Sequence, residues 1–260
     1  MKSKYLFLCL VLCALWGCSD DDVVNSDYTF STSERPAWAV DWTWNDPVPD
    51  WQDPDARQFE CSMNMLVELD EDFLPLSSDA DQMAIFINGE CRGVSYRTVI
   101  DEDYVVFLIH VKGTSEESTQ RMELRYYCAS VSQIFTDVNM PFFFVPNNLM
   151  DDAFTVVMTA KTTSAKYPLY TELLVMLPQN TPFTITDNDL MAVFVGDECR
   201  GFCVRNDEWY DGWRGVVSSS REGEMAHIRY YSADKGGIFT ISDEFELNND
   251  LQMKEVNFSH

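Results

Sequence analysis

MAIFINGECRG, Met83 to Gly93, returns as MAVFVGDECRG, Met191 to Gly201, 108 residues further along the chain. Each copy reads as two short apolar strands around a two-residue turn, Asn88-Gly89 in the first and Gly196-Asp197 in the second. Asn-Gly suits a type I′ hairpin, and a leading glycine suits type II′. A two-residue loop sets Ile87 opposite Glu90, Phe86 opposite Cys91, Ile85 opposite Arg92 and Ala84 opposite Gly93. Alternation then gathers Ala84, Phe86, Cys91 and Gly93 on one face, expected to be core. Ile85, Ile87, Glu90 and Arg92 fall on the other, where Glu90 and Arg92 read as an exposed ion pair worth about 0–1 kcal/mol. The second copy divides in the same way, with Glu198 and Arg200 on the outer face.

The repeat extends beyond the hairpin. Cys61 to Leu69 is answered by Leu169 to Leu177, Asp79-Ala80-Asp81 by Asp187-Asn188-Asp189, Arg125-Tyr126-Tyr127 by Arg229-Tyr230-Tyr231, and Ile134-Phe135-Thr136 by Ile238-Phe239-Thr240. The last two correspondences are offset by 104 instead of 108, so four residues are missing between hairpin and Arg-Tyr-Tyr strand, where loops absorb length changes. Further strands are predicted over Tyr104 to Val111, Phe142 to Val145, Phe154 to Ala160 and Trp213 to Ser218. No stretch has a helical period of useful length. Short strands at this spacing imply an all-β chain of two tandem immunoglobulin-like β-sandwich domains, residues 56–160 and 161–260, with Lys161 to Tyr167 as a short polar linker between the repeats.

At the N-terminus, Lys2 and Lys4 precede the apolar run Leu6 to Leu15, which is too short to span a bilayer and has the layout of a signal peptide over residues 1–17. Leu15-Trp16-Gly17-Cys18 resembles the lipobox of bacterial lipoproteins. That resemblance implies cleavage before Cys18, which becomes the acylated N-terminus. The following Ser19-Asp20-Asp21-Asp22 resembles the acidic export signal that sends Bacteroidetes lipoproteins to the outer face of the outer membrane. Residues 18–55 then read as a lipidated tether, flexible over 19–35, followed by an arm rich in tryptophan and proline.

Charge narrows the partners. The formal net charge is −25, and loss of residues 1–17, with two lysines and no acid, takes it to −27. Such a surface repels nucleic acid and bare anionic membrane, which leaves the lipid as the only membrane contact. Polysaccharide or another surface protein remain as expected partners. Trp38, Trp42, Trp44 and Trp51 lie within fourteen residues, and Trp209 and Trp213 follow the second hairpin. Tryptophans beside carboxylates and amides are what sugar-binding surfaces use, so these six are the candidate ligand-binding residues. The rival reading of the first four is a clip that fastens the arm to the first domain.

Once Cys9 and Cys13 leave with the signal and Cys18 takes lipid, five cysteines remain. Cys91 and Cys199 correspond and read as buried thiols. Cys61 and Cys128 are replaced together in the second repeat, by Leu169 and Ser232, which suggests a Cys61–Cys128 disulfide. Asp79 with Asp81, and Asp187 with Asp189, supply two carboxylates each, too few for calcium, so they read as turn caps; no metal or cofactor is expected. His110, His227 and His260 lack metal-ligand spacing, and no nucleophile elbow, phosphate loop or C-x-x-C pair is present, so the chain is not expected to be an enzyme.

The pattern D-x-M-A-x-F-x-x-x-E-C-R-G, followed by a strand and then R-Y-Y and I-F-T, resembles the repeats of Bacteroidales surface lipoproteins and covers residues 56–260. The resemblance implies location and fold, with no established activity. The leading expectation is a non-catalytic cell-surface binding module, with glycans as the first ligand class. The alternative is a structural or adhesive surface protein that binds other proteins. The two differ in what they demand of the tryptophans: a sugar platform exposes several together, whereas an adhesive scaffold buries them and keeps an open strand edge.

Overall fold

The computed structural model describes residues 28–100, 104–137, 143–148, 154–206, 212–256 and 258. The described residues form β-strands, 3-10 turns and loops, an all-β sandwich-like architecture. The first repeat contains β2 (Cys61–Leu69), β3 (Gln82–Ile87), β4 (Glu90–Tyr96), β5 (Thr98–Ile100), β6 (Tyr104–Gly113), β7 (Met122–Cys128), β8 (Gln133–Asp137) and β9 (Phe154–Met158). The second contains β11 (Leu169–Met176), β12 (Leu190–Val195), β13 (Glu198–Asn206), β14 (Gly212–Ser219), β15 (Glu224–Ser232), β16 (Gly237–Ile241), β17 (Phe245–Leu247) and β18 (Gln252–Glu255). Two further strands, β1 (Tyr28–Thr32) and β10 (Thr163–Ser164), lie outside the sequence repeat.

Strand order repeats with the sequence. The first repeat builds one sheet in the order β10-β8-β7-β3-β4 and a second in the order β5-β6-β2-β9; the second repeat runs continuously as β1-β16-β15-β12-β13-β14-β11-β18. Each repeat also contains one parallel pair, β2 with β9 and β11 with β18. Immunoglobulin domains instead divide their strands into ABED and CFG sheets. The sandwich-like expectation therefore holds in class, while the strand order is different. Tyr28–Thr32, read from sequence as flexible tether, pairs along its whole length with β16. Phe143 makes only an isolated bridge to Arg121 where a strand was expected.

The hairpin turns follow the sequence expectation. Asn88 and Gly89 both take positive φ, at 51° and 80°, and in the second hairpin Gly196 does so at 58°. The pairing beyond them differs by one residue. Phe86 faces Cys91, but Ile85 faces Gly93 and Ala84 faces Val94, so Arg92 is the extra residue of a β-bulge; Arg200 has the same place in the second copy. A bulge turns the rest of the strand to the other face. Cys199 accordingly packs with Ala192 and Phe194 on the outer face, whereas Cys203 joins the main core.

That shift accompanies a correction to the expected core face. Met83, Ile85 and Ile87 are fully buried between the sheets of the first repeat, and Met191 and Val193 have the same role in the second. Both faces of each hairpin are apolar, so alternation could not select the inner one. The outer face is covered separately, as described below. The inner core is aromatic in its middle: Tyr126 lies edge-on to Phe107 with centroids 5.7 Å apart, and Tyr230 lies edge-on to Trp213 at 5.7 Å. Trp213 thus occupies the core position that Phe107 holds in the first repeat.

Candidate functional site

The E-C-R-G box is structural in both copies. Arg92 is 5% exposed and Arg200 6% exposed, which overturns the surface reading of these pairs. Arg92 bonds Glu117 at 2.6 Å and Glu90 at 3.0 Å; Arg200 bonds Glu224 at 3.1 Å and Glu198 at 3.1 Å. The distal glutamate is held in turn by loop donors, from the Thr114 N–H to Glu117 and from the Ser220 N–H and hydroxyl to Glu224. Each guanidinium also lies over an aromatic ring, Phe59 at 4.5 Å and Tyr167 at 4.7 Å. The bulge brings the arginine inward, and the box ends in glycine because the neighbouring strand passes against it. A Cβ at Gly93 would meet the His110 carbonyl at 2.8 Å, and one at Gly201 would fall on the carbonyl of Val216.

The second aspartate of each pair, Asp81 and Asp189, is a turn cap, as expected. Asp81 accepts from the Ser78 N–H and hydroxyl, from the Tyr126 hydroxyl at 2.7 Å and from the Ala129 N–H at 2.9 Å. Asp189 repeats the cage with Thr186, Tyr230 and Ala233. Burial, with the Cys128 thiol and the Asp81 carboxylate nearby, pushes the Tyr126 hydroxyl far up, so it remains a donor. Asp79 is outside the cage and pairs with Arg97 at 2.7 Å.

The predicted site residues separate. Trp42 is buried in the first core against Phe135 and Tyr167, and Trp213 in the second, so neither can present a ring to a sugar. Trp38 stands edge-on to Phe194 at 5.4 Å, and Trp51 edge-on to Phe86 at 5.9 Å, each covering the outer face of one hairpin. Arg229 and Arg125 lie over the same two phenylalanine rings, at 4.2 Å and 4.0 Å. Trp44 is exposed, at 45%. Trp209 and Cys18 lie outside the described residues.

The expected Cys61–Cys128 disulfide is absent. The Cys61 thiol is 3.4 Å from the Ser115 hydroxyl, and the Cys128 thiol is 3.5 Å from the Leu76 carbonyl. Both are free thiols: Cys61 opens β2, and the far end of that strand, beyond which the chain turns to Leu76, is roughly 26 Å from it at 3.3 Å per residue. Their joint replacement in the second repeat thus does not reflect proximity. Burial pushes the Cys199 thiol up to about 11 and the Cys203 thiol up to about 12, so neither is a nucleophile near neutral pH.

Sequence reasoning gave the arm to the first domain alone, but it fastens both repeats. β1 closes the β16 edge, and Trp38 covers Phe194. Val40 then packs against both the first core and the outer Phe194 cluster, and Trp42 enters the first core. Beyond it the Trp44 and Asp46 N–H groups donate to the carbonyls of Val131 and Ser132, while the Asp46 carboxylate takes the Ile134 N–H at 2.8 Å. Tyr167 works in the reverse direction: it belongs to the first core, yet its hydroxyl donates to Glu198 at 2.5 Å. Lys166 ties this corner to Asp41 at 2.9 Å and lies 3.8 Å from Glu198.

A cleft of about 940 Å³ opens between the repeats. Asp70, Glu71, Asp72, Val157 and Lys161 form one wall, and the outer face of β13 and β14, with Phe202, Val204, Arg214 and Val216, forms the other. Glu172 on β11 holds Lys161 at 2.5 Å and Arg214 at 2.9 Å, and these two cations keep its carboxyl below the usual range. Beneath the arm a smaller space of about 210 Å³, lined in part by Trp38, Trp42 and Leu76, shares Asp72 and Phe202 with the cleft.

No protein-family model matches the chain, and no curated protein shows a significant match. Among solved structures, a "putative cell adhesion protein" from Bacteroides fragilis is similar at 6% identity and a TM-score of 0.26, over 86% of this chain and 92% of that one. The Bacillus anthracis TIE protein is similar at 10% identity and a TM-score of 0.21, over 96% of this chain and 43% of that one. At such scores neither likeness bears on function. No described helix is long and apolar enough to cross a membrane.

Proposed function

We propose that this protein is a non-catalytic, lipid-anchored adhesive protein of the outer membrane surface, held by Cys18 and binding a protein partner. The observation that favours this over glycan capture is the use of the tryptophans. Trp42 and Trp213 fill cores, and Trp38 and Trp51 cover Phe194 and Phe86 in different repeats, so they do not form one platform. A two-repeat body fastened by its own arm suits a scaffold that presents a surface away from the membrane. Strands β9 and β18 end their sheets, which is the feature an adhesive scaffold was expected to keep.

The test is binding of the labelled protein to bacterial and mammalian cell layers after two pretreatments. Adhesion that trypsin removes and periodate leaves intact is the expected result. Adhesion removed by periodate and spared by trypsin overturns the reading and returns the protein to glycan binding. Anchoring is checked separately: palmitate incorporation is expected in the full chain and lost in Cys18→Ala.

A further inference from the structure

The adhesive reading leaves open where the partner sits. We propose that the cleft between the repeats takes an extended peptide segment of the partner, with aliphatic side chains on its apolar wall and a lysine or arginine against Asp70, Glu71 and Asp72. This inference rests on the adhesive reading and assigns its contact surface.

Three observations carry it. The cleft, about 940 Å³, is at the upper end of the size range for ligand pockets and has walls from both repeats, a position where binding sites concentrate. Its sheet wall displays aliphatic side chains to solvent: Val204 is 67% exposed, and Val157 opposite is 44% exposed. Elsewhere on β12 and β13 the outer face is covered, by Trp38 and Val40 against Phe194 and Phe202. The arm therefore stops short of Val204, leaving an apolar strip beside the covered one.

Charge then selects the occupant. On the sheet wall, which also carries Arg205, Arg214 is engaged by Glu172, and Glu172 also holds Lys161 of the opposite wall. Across the cleft Asp70, Glu71 and Asp72 stand in sequence with no cation paired to them among the described residues. The Asp70 carboxylate accepts the Asp72 N–H, at 3.3 Å. Burial, reinforced by its two acidic neighbours, raises the Asp72 carboxyl above its ordinary value. A cationic side chain relieves that repulsion, whereas an acidic one adds to it. An extended peptide places alternate side chains on opposite sides, so a valine–lysine alternation meets both walls at once.

The probes are two dye-labelled octapeptides, one alternating valine and lysine and one alternating valine and glutamate, titrated against the full chain by fluorescence anisotropy. The variants are Glu71→Lys and Val204→Asp, both at exposed positions, with Glu246→Lys as a charge-matched change on β17. The valine–lysine peptide is expected to bind and the valine–glutamate peptide not to. Glu71→Lys and Val204→Asp should each weaken binding about tenfold, with Glu246→Lys close to the unaltered protein. Equal weakening by Glu246→Lys assigns the binding to diffuse acidity and overturns the proposal, as does binding of neither peptide. Trypsin-sensitive adhesion that persists in both cleft variants also overturns the cleft while leaving the adhesive reading in place.

Discussion

The junction between β4 and β6 in the first repeat and the junction between β13 and β14 in the second occupy the same place in the strand order, yet only the second is a continuous ladder. Register explains the difference. Leu173 faces Gly215 across β11 and β14, as Met65 faces Ile109 across β2 and β6, so Gly215 and Ile109 are equivalent. In the second repeat Gly201 and Gly215 both lack side chains where the strands cross, and a Cβ on either would fall on the carbonyl of its neighbour, Val216 or Phe202. In the first repeat only Gly93 is retained, and the Ile109 side chain sits between the strands, 3.0 Å from where a Gly93 Cβ would lie. The Ile109 side chain thus stands in the split junction where the continuous sheet has Gly215.

The largest expected effect follows from that contrast. Gly215→Ala should destabilise the chain by more than about 3 kcal/mol in denaturant unfolding, against about 1–2 kcal/mol for Gly93→Ala, whose Cβ would overlap the His110 carbonyl at 2.8 Å where that of Gly215 falls on the Phe202 carbonyl itself. Equal losses would break the comparison. Next come the buried ion pairs. Glu224→Gln leaves Arg200 short of a charge and should cost about 3 kcal/mol, with Glu117→Gln slightly less because Glu117 is more open to solvent. Burial raises the Glu224 carboxyl, but the Ser220 hydrogen bonds and Arg200 outweigh it and leave it below its ordinary value. Its stabilisation is therefore complete above the ordinary glutamate range and is lost as pH falls through the depressed folded value. Glu224→Gln should flatten that acid limb in a melting-temperature series.

Tyr126→Phe and Tyr230→Phe should be closely matched, at about 1–3 kcal/mol each, since both remove one donor from an equivalent buried cage. A gap larger than the error of the unfolding fit would show that the cages differ in ways their hydrogen bonds do not reveal. The smallest effect belongs to the arm. Lys166 first, and then the Thr43 N–H, hold the Asp41 carboxyl at about 2, so its contribution is present above the ordinary aspartate value and lost only as pH falls toward that point. Because the Asp41 carboxylate is largely exposed, Asp41→Asn should cost only a few tenths of a kcal/mol in global stability. Faster proteolysis within residues 36–54 is the readout that separates a loosened arm from an unchanged one.

The same edge is closed differently in the two repeats. β8 is covered by β10, from the segment that follows the first repeat, while β16 is covered by β1, from the segment that precedes it. The chain supplies each edge from whichever segment can reach it. As a result the N-terminal arm and the linker both cross between repeats, and the arm emerges from the second repeat before it reaches the first.

The sequence by itself determined the duplication, the two hairpins and their turn types, most strand positions and the turn-capping aspartates. These depend on neighbours within a few residues: Asn-Gly requires its turn, and Ser-x-x-Asp and Thr-x-x-Asp close their own loops. Only the tertiary structure decided which hairpin face is inner, because Met-Ala-Ile-Phe-Ile is apolar on both sides and the choice rests on what covers each one. It also decided that Arg92 and Arg200 are buried, since a bulge and glutamates 24 and 25 residues away set their burial. The tryptophans show the limit most plainly. A ring that stacks on a sugar and a ring that seals a phenylalanine have the same local sequence, and only the distant strand packed against it distinguishes them.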